Sequence, residues 1–368
     1  MFIIIMLLGL IFPRIHAVYL PKPSGKYFVG QTQHVFNHTT LNDPVANGTG
    51  TQLLITIYYP SLTPLDLNNT VPYIDPINAQ IWESAFGYPS GSLQSIKTWW
   101  NFQSPIINGT AGENPLPTII FSPGGGLNCW GYSVLLSDIA SHGYPVIAID
   151  HPGEVPYLQL PYGMGGVFGY NIYYSFNSSQ ATAIFQYRVA DMLAIIRELI
   201  PSLVKAYSAP FNLSTYIALG HSVGGAATAE AMDREQSIVA GINYDGAFFT
   251  FPDVKRPFLM MESENHTMLD NTTWTEFPGN QTGWWEVFLV KNAGHLDYSD
   301  IGLWPDLLGL NHSTTPQIGS ISGLRMEKIV RIFTKALFES VLGKRKTMLQ
   351  PNGMWPEVHV NGQSGDNG

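Results

Sequence analysis

The stretch Tyr216-Ile217-Ala218-Leu219-Gly220-His221-Ser222-Val223-Gly224-Gly225 decides how the chain folds. The short apolar run Tyr216 to Leu219 predicts a strand, and the alanine-rich run Ala226 to Met232 predicts a helix. Between them a G-x-S-x-G leaves room only for a very sharp turn with Ser222 at its apex. Side chains at 220 and 224 would collide with neighbouring backbone, so both positions need glycine. A G-x-S-x-G also occurs by chance in loops; the strand before it and the helix after it mark this one as a nucleophile elbow. The N–H of Val223, opening the helix, then points toward the place where an oxyanion would form.

Working outward, the pattern alternates. Thr118 to Ser122 predicts a strand, Tyr132 to Ser141 a helix that stops at Gly143, and Val146 to Asp150 another strand. A long helix follows over 181–206, with Ile184, Met192, Ile195, Ile196, Leu199 and Leu203 near helical spacing. After the elbow come strands at Ile238 to Tyr244, Phe258 to Glu262 and Glu286 to Val290. A closing helix over 324–342 carries Met326, Ile329, Val330, Phe333, Leu337 and Val341 on one stripe. Near-continuous apolar strands alternating with helices mean a mostly parallel sheet covered on both faces, an α/β architecture. Lys26 to Phe36 and Gln52 to Tyr59 predict antiparallel edge strands. Residues 60–113, rich in Pro, Asn and aromatics, are expected to cover a sheet face, with a substrate wall as the alternative, and carry a short helix over Ala79 to Phe86.

The 368 residues suit one large domain, expected over 18–345, and no linker divides it. Residues 346–368 are expected to be a flexible tail, on the Gly- and Asn-rich composition after Gly353. Phe2 to Phe12 is an apolar run too short to span a bilayer and is followed by Ala17, so residues 1–17 predict a signal peptide. N-x-S/T sites at Asn37, Asn47, Asn68, Asn108, Asn177, Asn212, Asn265, Asn271, Asn280 and Asn311 fit a secreted, N-glycosylated protein. The single cysteine, Cys129, excludes an intrachain disulfide and reads as a small buried apolar residue.

Apolar residues make up 45% and charged residues 12% of the chain, enough for a large core. A net charge of -9 without a basic cluster excludes nucleic-acid binding. Neither a G-K-[ST] nor a G-x-G-x-x-G is present, and the histidines lack ligand spacing, so no cofactor or metal is expected.

A serine needs a histidine base and a carboxylate to orient that base. His295, in Lys291-Asn292-Ala293-Gly294-His295, follows the last predicted strand; His266 and His312, each inside an N-x-S/T site, read as exposed loop residues. For the carboxylate, Asp245 stands at the end of one strand, and Glu262 and Glu264 at the end of the next; the residues alone leave both open. Pro123-Gly124-Gly125-Gly126 predicts an oxyanion loop, with Gly125 and Val223 as donors. The loops His151 to Ser179 and Leu296 to Leu310, rich in aromatic and apolar residues, are expected to frame an acyl pocket or a lipid-facing rim.

Several stretches together resemble the secreted, calcium-independent platelet-activating-factor acetylhydrolases, in the esterase branch of the α/β-hydrolases. They are Leu54-Ile55-Thr56-Ile57-Tyr58-Tyr59-Pro60-Ser61, Phe121-Ser122-Pro123-Gly124-Gly125-Gly126 and Ile139-Ala140-Ser141-His142-Gly143-Tyr144, with Tyr187-Arg188-Val189-Ala190-Asp191 and the elbow through Asp245-Gly246. The resemblance covers residues 26–342. It implies an α/β-hydrolase fold, a Ser222–Asp245–His295 triad in preference to Glu262, and short acyl groups at the second position of a glycerophospholipid as substrate. The chain departs from that family at Pro123, commonly histidine, and at Gly125, which replaces a larger residue. Other expectations compatible with these residues are a carboxylesterase of other small esters, a serine peptidase, and an inactive hydrolase fold used for binding.

Overall fold

The structure, a computed structural model, describes residues 17–38, 51–107, 116–172, 175–264, 266, 271–346 and 348–365. The expected signal peptide therefore lies, but for Ala17, outside the described residues, as do Asn47, Asn108 and Asn265. In chain order the strands are β1 (Val18–Tyr19), β2 (Phe28–His38), β3 (Thr51–Ser61), β4 (Ile96–Lys97), β5 (Trp100–Phe102), β6 (Thr118–Ser122) and β7 (Val146–Asp150). There follow β8 (Tyr157–Gln159), β9 (Gly166–Phe168), β10 (Tyr216–His221), β11 (Ile238–Tyr244), β12 (Phe258–Ser263), β13 (Trp285–Val290) and β14 (Val358–Gln363). The helices are α1 (Pro76–Phe86), α2 (Ser133–Ser141), α3 (Ser178–Ala194), α4 (Ile200–Tyr207), α5 (Val223–Arg234), α6 (Thr273–Gly279), α7 (Trp304–Leu308) and α8 (Gly323–Val341).

Ten strands form one sheet in the order β14-β13-β12-β11-β10-β6-β7-β3-β2-β5. The run from β13 to β7 is parallel, while β3 pairs antiparallel with β7 and β2 antiparallel with β3. Every residue of β6 is buried, as expected for a central strand covered on both sides. Alternation sorts the side chains: Ile119 and Phe121 pack with α2 and α8 through Leu136 and Phe333, and Ile120 packs on the other face with Met192 and Ala227 of α3 and α5. On α8 the predicted stripe is the buried one, Val341 excepted, which is half-buried.

Local chemistry fixes the ends of several elements. Asn177 caps α3 and exchanges bonds with Gln180 in a capping box; Asp75 caps α1 ahead of Pro76, and Gly87 closes it at φ 67. The helix expected to run unbroken over 181–206 passes through a π turn, Ile195–Leu199, just before Pro201. Proline offers no N–H to Arg197, so the regular ladder cannot continue across it.

The C-terminal expectation is corrected. Instead of a flexible tail, residues 348–365 return to the sheet, and β14 pairs antiparallel with β13 from Glu286 to Val290. The domain thus extends past residue 345. Val358 and Trp355 are buried against the core around Phe333, which holds the segment where its own composition would not. At the other edge β5, three residues long, lies outside β2.

Candidate active site

The elbow is built by close backbone contact. Ser222 sits at φ 55, ψ −128, a region that costs a non-glycine residue about 1–3 kcal/mol and persists only where surroundings enforce it. Here they do: a Cβ on Gly220 would lie 2.2 Å from the carbonyl of Gly224, and one on Gly224 would lie 2.2 Å from the carbonyl oxygen of Ser122. Ser222 N–H donates to Tyr244 O (2.8 Å), which stitches the elbow to the neighbouring strand.

Asp245 leaves β11 with φ 54, and Gly246 behind it packs so tightly that a Cβ there would meet Ser222 O at 2.0 Å. The carboxylate is fully buried. Its Oδ1 accepts from Ser263 N–H (2.7 Å); its Oδ2 accepts from Ser263 Oγ (2.9 Å) and from His295 Nδ1 (2.6 Å). Burial alone would push this carboxyl up; hydrogen bonds from His266 and His295, and their charge, outweigh burial and hold it well below the usual carboxylate range. With Nδ1–H committed to Asp245, the nitrogen left for chemistry on His295 is Nε2.

Ser222 and His295 line one cavity of about 350 Å³. Among the described residues no hydrogen bond joins the serine hydroxyl to the imidazole. Glu262, the rival carboxylate, bonds Asn361 of β14 instead, and Glu264 accepts from Asn292 N–H (2.7 Å). His312 pairs with Asp306 (2.7 Å), whereas His266 is drawn into the cluster with Asp245. Reading His266 and His312 as exposed loop residues is corrected: both are half-buried, and His266 Nδ1 lies 3.4 Å from Asp245 Oδ1.

The glycine loop offers three N–H groups, and two are engaged. Gly124 N–H donates to Tyr132 OH (2.9 Å) and Gly126 N–H to Glu154 Oε2 (3.3 Å). Among the described residues, the N–H groups of Gly125 and Val223 have no protein acceptor. They are neighbours, since a Cβ on Gly125 would sit 3.6 Å from Val223 Cγ1. No acidic residue occupies the first turn of α5, so its positive end is left for an incoming anion.

Behind the loop, the fully buried Arg188 pairs with Glu154 (2.8 Å) and donates to Gly124 O (3.1 Å), Pro123 O and Ser122 Oγ (3.0 Å). Carbonyls held backward turn the N–H groups forward. Ser122, His151 and Asp191 form a second serine–histidine–aspartate array (3.1 and 2.7 Å), buried throughout and thus shut off from substrate. Sequence reasoning also missed His221. Fully buried, it accepts from Tyr132 OH at Nδ1 (2.7 Å) and donates from Nε2 to His295 O (2.9 Å).

The cavity walls differ in part from expectation. Glu154, Pro156, Ile172 and Phe176 come from the loop 151–179, but from 296–310 only Leu296 lines the space. Trp82 and Phe86 of α1 form much of the remaining wall. Residues 60–113 therefore supply a wall of the cavity through α1, whose Trp82 is held by ring contacts with Trp304 and Trp130. The atoms of Asp245, His266 and His295 that could ligate a metal lie within 4.8 Å of one another. His295 Nδ1 donates to the carboxylate, while His266 Nδ1 bonds the main-chain carbonyl oxygen of Asp245 (3.1 Å) and lies 3.4 Å from the carboxylate, so the three residues are held to one another by hydrogen bonds.

Sheet order, elbow and loop define an α/β-hydrolase fold. No family model matches the chain. It is 24% identical over 92% of its length, and 92% of the relative's, to a protein of Arthroderma benhamiae named "Probable 1-alkyl-2-acetylglycerophosphocholine esterase". Among solved structures it superposes on a ferulic acid esterase from Streptomyces cinnamoneus with a TM-score of 0.79, at 22% identity, over 94% of this chain and all of that one.

Proposed function

We propose that this chain is a serine esterase that hydrolyses carboxylic esters with small acyl groups. The observation that carries the reading is the 2.6 Å bond between His295 Nδ1 and Asp245, with Ser222, His295 and Gly125 lining one cavity and Val223 next to Gly125. Ser222 Oγ attacks the ester carbonyl while its proton passes to His295 Nε2. The N–H groups of Gly125 and Val223 receive the oxyanion, and Asp245 stabilises the imidazolium. As the carbonyl re-forms, the bond to the alkoxide leaving group breaks and His295 returns the proton to it. Water, deprotonated by the same imidazole, then releases the acid and restores Ser222.

The cavity of about 350 Å³, walled by Trp82 and Phe86, suits a compact acyl group better than a long chain. The Arthroderma relative's name and the sequence resemblance point to an acetyl group at the second position of a glycerophospholipid. Other small carboxylic esters are the second reading, favoured by a pocket lined mainly by apolar groups. We further propose export as an N-glycosylated protein, since Asn37, Asn68, Asn177, Asn280 and Asn311 are exposed. Asn212, buried and bonded to Ser214 and Thr215 N–H, is not a glycan site on this reading.

Purified protein should turn over p-nitrophenyl acetate and an acetyl phospholipid and label with a fluorophosphonate, and Ser222→Ala should lose all three. Retained turnover in Ser222→Ala refutes the esterase mechanism. Turnover of simple esters without the phospholipid refutes only the substrate. A mobility shift on enzymatic deglycosylation checks the glycans.

A further inference from the structure

Asp245 serves two imidazoles. Besides His295 it faces His266, whose Nδ1 lies 3.4 Å from Oδ1 and 3.1 Å from the Asp245 carbonyl oxygen. The protonation of His266 follows from its other neighbour. Asn271 Oδ1 accepts from Thr273 N–H (3.0 Å) and Thr273 Oγ (2.7 Å), which turns its amide nitrogen toward His266 Nε2 (2.8 Å). Nε2 must then accept, so Nδ1 carries the hydrogen and aims it at Asp245. The ring packs edge-on against Trp274 (5.9 Å) and against His295 (6.1 Å), which fixes its plane. A cleft on this side of the cluster, lined by Ser263, His266, Gly294 and His295, gives His266 its own access to solvent.

We propose that His266 is a positioning residue of the proposed reaction, a second donor that holds the Asp245 carboxylate in place and tempers its pull on His295. The inference rests on the esterase reading above. Oδ1 carries Ser263 N–H and faces the His266 donor, which leaves Oδ2, steadied by Ser263 Oγ, aimed at His295. Every donor shared by the carboxylate spreads its charge and weakens its stabilisation of the His295 imidazolium. The charged groups facing His266 are Asp245, Glu262 and, across the cluster, His295; the bond to Asp245 raises its own pKa, with burial opposing. Proton uptake by His266 would act on Asp245 in the same sense as the neutral donor, only more strongly.

The test is the pH profile of kcat/KM for p-nitrophenyl acetate in the full chain, with folding followed by thermal melting. His266→Leu fills the space without a donor; His266→Asn places an amide N–H where Nδ1 stood. His266→Leu should lower kcat about tenfold with KM nearly unchanged, because carboxylate placement matters most when the imidazole is charged. Its acid limb should move to higher pH by about half a unit or more, since the undivided carboxylate holds a proton on His295 more firmly. His266→Asn should recover kcat to within about threefold and return the acid limb toward that of the parent. Should His266→Leu fail to fold, His266→Ala is read the same way. A rate loss without the shift, or one that His266→Asn shares in full, overturns the proposal. Asp245→Asn runs beside them: if it kept the parental rate the triad itself would fall, whereas an inactive Asp245→Asn with a parental His266→Leu sinks this inference alone.

Discussion

His221 Nε2 donates to the main-chain carbonyl of His295 across 2.9 Å, so the residue before the elbow serine holds the backbone of the residue that serves it. The acceptor fixes the tautomer: Nε2 carries the hydrogen, Nδ1 accepts from Tyr132 OH, and that oxygen accepts from Gly124 N–H. Burial, and after it the charge of His295, hold the His221 imidazole well below its ordinary range, which keeps the chain of bonds in one direction. One line of hydrogen bonds thus runs from the glycine loop to the base. Replacing His221 by Leu should reduce kcat about 10²-fold through misplacement of both ends, with KM changed less. Steady-state kinetics beside a thermal melt separate this from unfolding.

Arg188 and Glu154 stand under the loop as a fully buried pair. Arg188→Met leaves the buried Glu154 without its cationic partner, with only Gly126 N–H and Tyr187 OH to bond it, and should destabilise the fold by about 3–5 kcal/mol. The double variant Arg188→Met/Glu154→Gln should regain most of that stability, as measured by urea denaturation. It should not regain the rate, because the carbonyls of Pro123 and Gly124 have lost their anchor.

Asp245→Asn should lower kcat about 10⁴-fold, since an amide cannot both accept from His295 Nδ1–H and stabilise an imidazolium. Glu262→Gln, altering a residue that bonds Asn361 instead of the imidazole, should keep the rate within about threefold. Kinetics on the two variants side by side check the assignment.

Asp300 is buried with each carboxylate oxygen 3.3 Å from Val134 N–H, and burial pushes its pKa up to about 8 from 3.8. The folded state therefore keeps a proton that the unfolded chain releases. Stability from this group falls as pH rises through the window from 3.8 to about 8, with a slope of at most about 1.4 kcal/mol per pH unit, and is level outside it. Asp300→Asn should flatten that slope. Melting temperatures at pH 5 and pH 9 should draw apart between the two proteins, the variant being the more stable at pH 9.

The elbow, the parallel strands and the stripe on α8 were legible because each is a local pattern: a tight turn that only glycines allow, runs buried on both faces, one helical period. Ser222, Asp245 and His295 were legible as residues at strand ends, but choosing Asp245 over Glu262 needed a family resemblance. The register that sends Glu262 toward Asn361 depends on β14, about a hundred residues away. β14 itself was hidden because Val358–Gln363 owes its order to an edge and a core supplied by the rest of the chain. His221, His266 and Arg188 carry no mark of their own in sequence. Their roles lie in what faces them, a carbonyl, a carboxylate and a loop, and in no spacing along the chain. For residues 60–113 the sequence left a sheet-face cover and a substrate wall both open, and Trp82 and Phe86 line the cavity; a short helix does not announce which cavity it borders.

β14 runs alongside β13, the strand that delivers His295. Loss of that strand by proteolysis would bare a row of unpaired amides and loosen the turn that carries His295, the base of the proposed mechanism, in a single event. Clipped molecules would then clump together through that bared edge instead of persisting as sluggish catalysts.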